Sequence, residues 1–195
     1  MFQTAHNTVK QLIADFNAHE AHYRSPKYQE AEVRADFIDK LFTALGWDVA
    51  HDHQKNPYEQ EVKVEKAQRQ AQEKAQKRAD YAFSVAPDFK TVQFFVEAKK
   101  PSLTLRQNRD GYFQTAKYGW NAQTGVSVLT DFEEIVIIDC RAKPDFDTIL
   151  QNELRYFKYT DFENEETFGE FYWLFSHEAV AEGKLARYIA DLPKA

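Results

Sequence analysis

Asp80, Glu97 and Lys99 are the residues of this chain whose types and spacing together suggest catalysis. Glu97 and Lys99 lie in "FFVEAKKPS", residues 94 to 102, where Phe94, Phe95 and Val96 read as a buried strand followed at once by a carboxylate and two ammonium groups. Charges at the mouth of such a strand cost free energy unless they are solvated, paired or bound to a metal. Residues i and i+2 of a strand share a face, roughly 7 Å apart. Glu97 and Lys99 should therefore point together, with Ala98 turned into the core. Asp80 opens a second strand, "DYAFSVA", and if the two strands pair as a hairpin it comes alongside Glu97. Two carboxylates held close repel, and a divalent cation between them makes the arrangement stable. Oxygen ligands without His or Cys favour Mg²⁺ or Mn²⁺ over zinc. Magnesium keeps several waters and binds through one or two carboxylates plus phosphate oxygens, so a phosphodiester is a natural substrate. Lys99 would orient or deprotonate the attacking water and help neutralise the transition state.

These residues need elements to hold them. The spacing of Val9, Leu12, Ile13 and Phe16 predicts a helix over about Thr8 to His19. "EAEVRADFIDKLFTALGW" predicts a second, with Val33, Phe37, Ile38, Leu41, Phe42 and Leu45 on one stripe and Gly46 to end it. "WDVAHD" and "EQEVKVE" alternate like strands around a turn at "QKNP". "KAQRQAQEKAQKR" has helical propensity and nothing to bury, which suits a solvated helix or a mobile loop. The hairpin of "DYAFSVA" and "TVQFFVEAKK" follows, then a helix at "DGYFQTAKYGWNA", strands at "VSVLTD" and "EEIVIIDC", and a mostly helical remainder. This order describes an α/β or α+β domain with a mixed central sheet flanked by helices.

Length and composition set outer limits. A chain of 195 residues with 43% apolar content builds one sizeable core. No run is long and apolar enough to cross a bilayer, and the N-terminal stretch lacks the apolar centre of a signal peptide, so a cytoplasmic protein without a membrane partner is expected. The single Cys140 excludes an internal disulfide framework and a Cys-rich zinc site. The net charge of -6 argues against a DNA-coating protein, but residues 63 to 78 hold six basic and two acidic residues. A polyanion would have to meet such a local patch.

"ADY" followed by "VEAKK" resembles the PD-(D/E)XK nuclease signature, with Asp80, Glu97 and Lys99 at the D, E and K. Ala79 stands where the name has proline, a position that does no chemistry. Glu30, upstream of Arg34, stands where this family often has a metal-associated glutamate, with Glu32 as the alternative. Gln114 and Tyr118 in "QTAKY" match the QxxxY motif of RecB-like nucleases and of Type I restriction subunits. "RADFIDKLFTALGWDV", "RADYAF", "FFVEAKKPS", "YGW" and "VLTDFEEIVIIDC" together look like the N-terminal nuclease domain of Type IIG restriction-modification enzymes, over roughly residues 28 to 190.

The resemblance implies a restriction-endonuclease-like core and an Mg²⁺-dependent DNA endonuclease, with Mn²⁺ as the expected substitute. Phosphodiester hydrolysis would leave a 5′-phosphate and a 3′-hydroxyl. Asp80 and Glu97, with the Ala98 carbonyl, would hold the metal, Glu30 would assist directly or through water, and Lys99 would position the nucleophile. Gln114 and Tyr118 would contact DNA phosphate or buttress Lys99, and Lys100, Arg106 and Arg109 are further candidates for phosphates. Residues 1–160 would form the nuclease domain and 161–195 a helical connector toward a methyltransferase and a target-recognition domain. The partner would be double-stranded DNA, with a transient homodimer for double-strand breaks.

Each feature has a plainer alternative. A D…ExK pattern alone fits a surface ion pair, and a charge run is more often a solvated face. His51 and His53 lack further ligands, and "HEAVA" at His177 lacks the second histidine of a zincin. Two rival functions are a non-catalytic nucleic-acid-binding module of the same fold and a RecB-like repair exonuclease.

Overall fold

The computed structural model describes residues 1–65 and 77–194. Most of "KAQRQAQEKAQKR" lies outside these described residues. Among the described residues, six strands form one mixed sheet in sequence order: β1 (Val62–Val64), β2 (Tyr81–Phe83), β3 (Phe94–Ala98), β4 (Val126–Thr130), β5 (Glu134–Asp139) and β6 (Glu153–Lys158). Only β3 and β4 run parallel; the other neighbours are antiparallel. That parallel step needs a crossover, supplied by helix α3 (Arg109–Ala122).

Helices cover both faces, and the strand sequences follow from that. In β4 every residue is buried, with Val126 and Val128 in the larger core and Leu129 in a smaller one under α3. The larger core also takes Val9 and Phe16 from α1 (Phe2–Ala18), and Phe168, Phe171 and Phe175 from α4 (Glu165–Phe175). The α1 helix starts at Phe2 rather than near Thr8, because Phe2 packs edge-on against Tyr172 at 5.0 Å. Trp47 Nε1 donates to the Phe175 carbonyl at 2.8 Å, which ties the C-terminal helices to the same core.

Helix α2 covers residues 30–44 in three pieces: Glu30–Val33, a π-helical turn over Arg34–Ile38, and Asp39–Ala44. In the wide turn the Asp39 N–H donates to the Arg34 carbonyl, five residues back. Gly46, at φ +96, ends the helix as its sequence position predicts.

One expectation fails and another is incomplete. "WDVAHD" is not a strand: the Asp48 carboxylate accepts from the N–H groups of Asp52, His53 and Gln54, which fixes them in a loop, and His51 has φ 57. The "mostly helical" remainder contains β6, an edge strand whose pairing with β5 shifts register near Ile137 and Ile138. Within β6 only Phe157 is fully buried, so the two-residue period is faint.

Candidate metal centre and active site

The hairpin sets the site. Tyr81 pairs with Val96, so one step outward Asp80 lies across from Glu97. Tyr81, Phe83, Phe94, Val96 and Ala98 all enter the larger core. Alternation along the strands therefore turns Asp80, Glu97 and Lys99 to the other face, the one under α3. Ala98 points into the core as expected. The Lys99 N–H donates to the Thr130 carbonyl at 3.0 Å, which continues the β3–β4 pairing past Ala98 and fixes the backbone that carries both charges.

Asp80 is 0% and Glu97 1% exposed. Helix α2 brings Glu30 to them, and one carboxylate oxygen from each of the three lies within 4.8 Å of the others. Glu32 is elsewhere: its Oε1 accepts the Gln29 N–H at 3.1 Å at the start of the helix. Asp80 Oδ2 accepts from the Ala98 N–H at 2.8 Å, and Oδ1 accepts from Arg34 Nη1 at 3.2 Å. Glu97 Oε2, in contrast, is buried and accepts no hydrogen bond among the described residues. Burial and the neighbouring Asp80 push the Glu97 carboxyl well above the usual range. Burial and Asp80 also raise Glu30, against the opposing charges of Lys99, Arg34 and Lys77.

This donor set fits a hard divalent cation. Three convergent carboxylates, one with an orphaned oxygen, supply oxygen ligands without nitrogen or sulfur. Among the described residues no other group of His, Cys, Asp or Glu converges in this way.

Gln114 and Tyr118 lie one turn apart on α3. The Tyr118 hydroxyl is buried without a hydrogen-bond partner among the described residues. Its pKa is raised by burial and then by the charges of Glu97, Asp80 and Glu30. Gln114 Oε1 accepts from Lys77 Nζ at 2.9 Å. A cleft of about 680 Å³ adjoins these residues, lined by Lys63, Lys77, Lys117, Phe95, Gln114 and Tyr118 among others.

The other candidates lie apart from the carboxylates in their bonding. Arg106 makes a two-pronged ion pair with Glu153 at 3.0 and 2.7 Å and stacks on Tyr156. Arg109 Nη1 donates to the carbonyls of Phe146 and Asp147. Lys100 is half-buried beyond β3. Arg34 and Lys77 join the site without being marked as site residues by sequence. Arg34 is visible only as the residue four after Glu30, and Lys77 only as one of a basic run.

Over 176 residues, 90% of its length, the chain is 32% identical to a protein of Escherichia coli described as "Type II restriction enzyme and methyltransferase RM.Eco57I". That relative is a restriction enzyme. The chain spans 17% of the relative's own length, so the likeness concerns one segment of a much larger protein. Asp80, Glu97 and Lys99 thus sit in a chain homologous to part of a restriction-modification enzyme. No family model matches the chain, and no solved structure matches it.

Proposed function

We propose that this chain is a metal-dependent DNA endonuclease domain of PD-(D/E)XK type, working within a restriction-modification protein. The observation that carries the reading is the buried, unpartnered Glu97 Oε2 beside Asp80 and Glu30, all within 4.8 Å, two residues before Lys99. A buried carboxylate without a partner is costly, and a bound cation removes that cost. The likeness to a restriction enzyme supports the same chemistry.

Asp80, Glu97, the Ala98 carbonyl and Glu30 would hold Mg²⁺, or Mn²⁺ in its place. When bound, the ion neutralises charge on the phosphate and acidifies coordinated water. Lys99 would hold the water in line with phosphorus and offset charge on the equatorial oxygens. The water oxygen bonds to phosphorus while the P–O3′ bond breaks, leaving a 5′-phosphate and a 3′-hydroxyl. The proton lost by the water and the one gained by O3′ exchange with solvent. Tyr118 and Gln114, with Lys77 and Lys117 in the adjoining cleft, would contact the DNA backbone, and Lys100, Arg106 and Arg109 would contact phosphates farther along. Residues 161–195 would lead toward methyltransferase and target-recognition domains, and two copies would meet on DNA to cut both strands.

The test is nicking of supercoiled plasmid with Mg²⁺ or Mn²⁺, comparing the intact protein, Lys99→Ala and an EDTA control. Nicking should vanish with EDTA and fall at least about a hundredfold in Lys99→Ala. Nicking that survives either change, or cutting confined to one sequence by this chain alone, overturns the proposal.

A further inference from the structure

The structure assigns a positioning role to Arg34: we propose that it holds Asp80 in the orientation that lets the three carboxylates share one metal ion. This rests on the metal-centre reading above and extends it to a residue outside the ligand set.

Arg34 donates to three acceptors, two on the consecutive residues Asp80 and Tyr81 and one on the main chain at Glu65. Nη1 donates to Asp80 Oδ1 at 3.2 Å, Nη2 to the Glu65 carbonyl at 2.8 Å, and Nε to the Tyr81 hydroxyl at 3.4 Å. The guanidinium also lies over the Tyr81 ring, 4.9 Å from its centroid. Its side chain is 11% exposed, so solvent offers little competition for these donors. Tyr81 is itself fixed: it is 0% exposed, and its hydroxyl donates to Asp39 Oδ1. The result is a chain from Asp39 through Tyr81 and Arg34 to Asp80.

The two ends of that chain have different neighbours. Asp39 belongs to the last part of α2 and contributes nothing to the carboxylate cluster. Among the described residues, Asp80 is fixed on one oxygen by the Ala98 N–H and on the other by Arg34. Without Arg34 its carboxylate could turn about the single remaining bond. Glu30 and Arg34 are four residues apart, so the first turn of α2 delivers a ligand and the clamp on its neighbour together. A planar fork suits three acceptors in fixed directions, whereas the point-like ammonium of a lysine does not.

The experiment is calorimetric titration of Mn²⁺ into wild type, Arg34→Lys, Arg34→Met and Tyr81→Phe, with Asp80→Ala as the control that removes a ligand. Melting temperatures in EDTA are recorded for each. Residues that orient metal ligands typically contribute 10–100-fold in affinity, and Arg34→Lys and Arg34→Met should each weaken Mn²⁺ by about that factor. Tyr81→Phe removes only the hydroxyl and should weaken it less. A purely structural role for Arg34 would lower the melting temperature and leave the affinity unchanged; that outcome, or tighter binding, overturns the proposal. If the Arg34 variants fail to fold, Tyr81→Phe decides, and wild-type affinity there counts against the proposal. Wild type that binds no Mn²⁺ overturns the metal-centre reading and this proposal with it, whereas wild-type binding with unaltered Arg34→Lys overturns the proposal alone.

Discussion

Glu61 and Glu97 are both buried glutamates near the ends of strands on the same half of the sheet, and the fold treats them in opposite ways. Glu61 accepts from Gln54 Nε2 at 2.7 Å and from the Ala86 N–H at 3.0 Å, and its Oε2 lies 2.8 Å from His177 Nε2. Burial pushes its carboxyl up, but the Ala86 N–H, His177 and Gln54 outweigh this and hold it below the usual range. Glu97 has a buried oxygen with no partner among the described residues, and its carboxyl is pushed up instead. The first is a joint: it ties His177 and the C-terminal helices to the loop before β1. The second has the make-up of the metal site proposed above. A buried acid completed by protein donors stabilises the fold, and one left incomplete among other acids implies a ligand from outside.

Removing the finished acid should do the most harm. Glu61→Ala leaves three polar partners without their acceptor and should cost about 3 kcal/mol in urea unfolding; a loss near zero would mean that the contacts around Glu61 contribute little. Next is the response to metal. At a hundred times its dissociation constant, Mn²⁺ should stabilise the intact protein by about 2.7 kcal/mol and leave Asp80→Ala and Glu97→Gln unaffected, as measured by thermal unfolding. An equal response in Glu97→Gln would remove the contrast between the two glutamates.

In EDTA at pH 8 the order should invert, with Glu97→Gln more stable than wild type by about 1–2 kcal/mol, because the folded wild type must either hold a proton on Glu97 or bury its charge and the amide does neither. The pH dependence gives the sign. Glu97 has a raised folded pKa, so the wild type loses stability as pH rises above the ordinary value of 4.5, and the advantage of Glu97→Gln should vanish below it. Glu61 has a lowered folded pKa, so its contribution is present above 4.5 and is lost as pH falls through the lowered value. The smallest effect expected is that of His177→Ala, about 1 kcal/mol, since that side chain is 35% exposed.

The part of the site carried by the hairpin was legible in the sequence. Phe94, Val96 and Ala98 alternate with Phe95, Glu97 and Lys99, which showed the face the charges share; the register that places Asp80 across from Glu97 was conditional on the hairpin pairing and is set in the structure by Phe83 opposite Phe94. Glu30 was legible only through the family resemblance, since nothing in its own helix pattern separates it from Glu32. Their roles part on a local contact, the bond between Glu32 and the Gln29 N–H. The role of Arg34 was hidden because its acceptors include a main-chain carbonyl at Glu65 and a hydroxyl on another strand, neither of which leaves a mark in residue spacing. Glu61 was hidden for the same reason: its partners lie at positions 54, 86 and 177. Strands β1 to β5 were readable as segments from apolar runs and alternation, whereas their order in the sheet was not, and β6 and the loop after Trp47 were decided by edge position and by the Asp48 carboxylate.

The wide turn at Arg34–Ile38 acts as a phase adjuster. Val33, Phe37, Leu41 and Leu45 recur every four residues, a spacing that drifts by about 40° per step around a helix of 3.6 residues per turn. A π-helical turn takes up part of that drift and keeps one continuous stripe against the core while Glu30 and Arg34 stay aimed at Asp80. Deleting one residue from 34–38 would rotate everything before it by about 100° relative to Asp39–Ala44. The deleted chain would have to choose between seating Val33 and Phe37 in the core and presenting Glu30 to the carboxylates, so one missing residue that supplies no ligand atom would uncouple folding from chemistry.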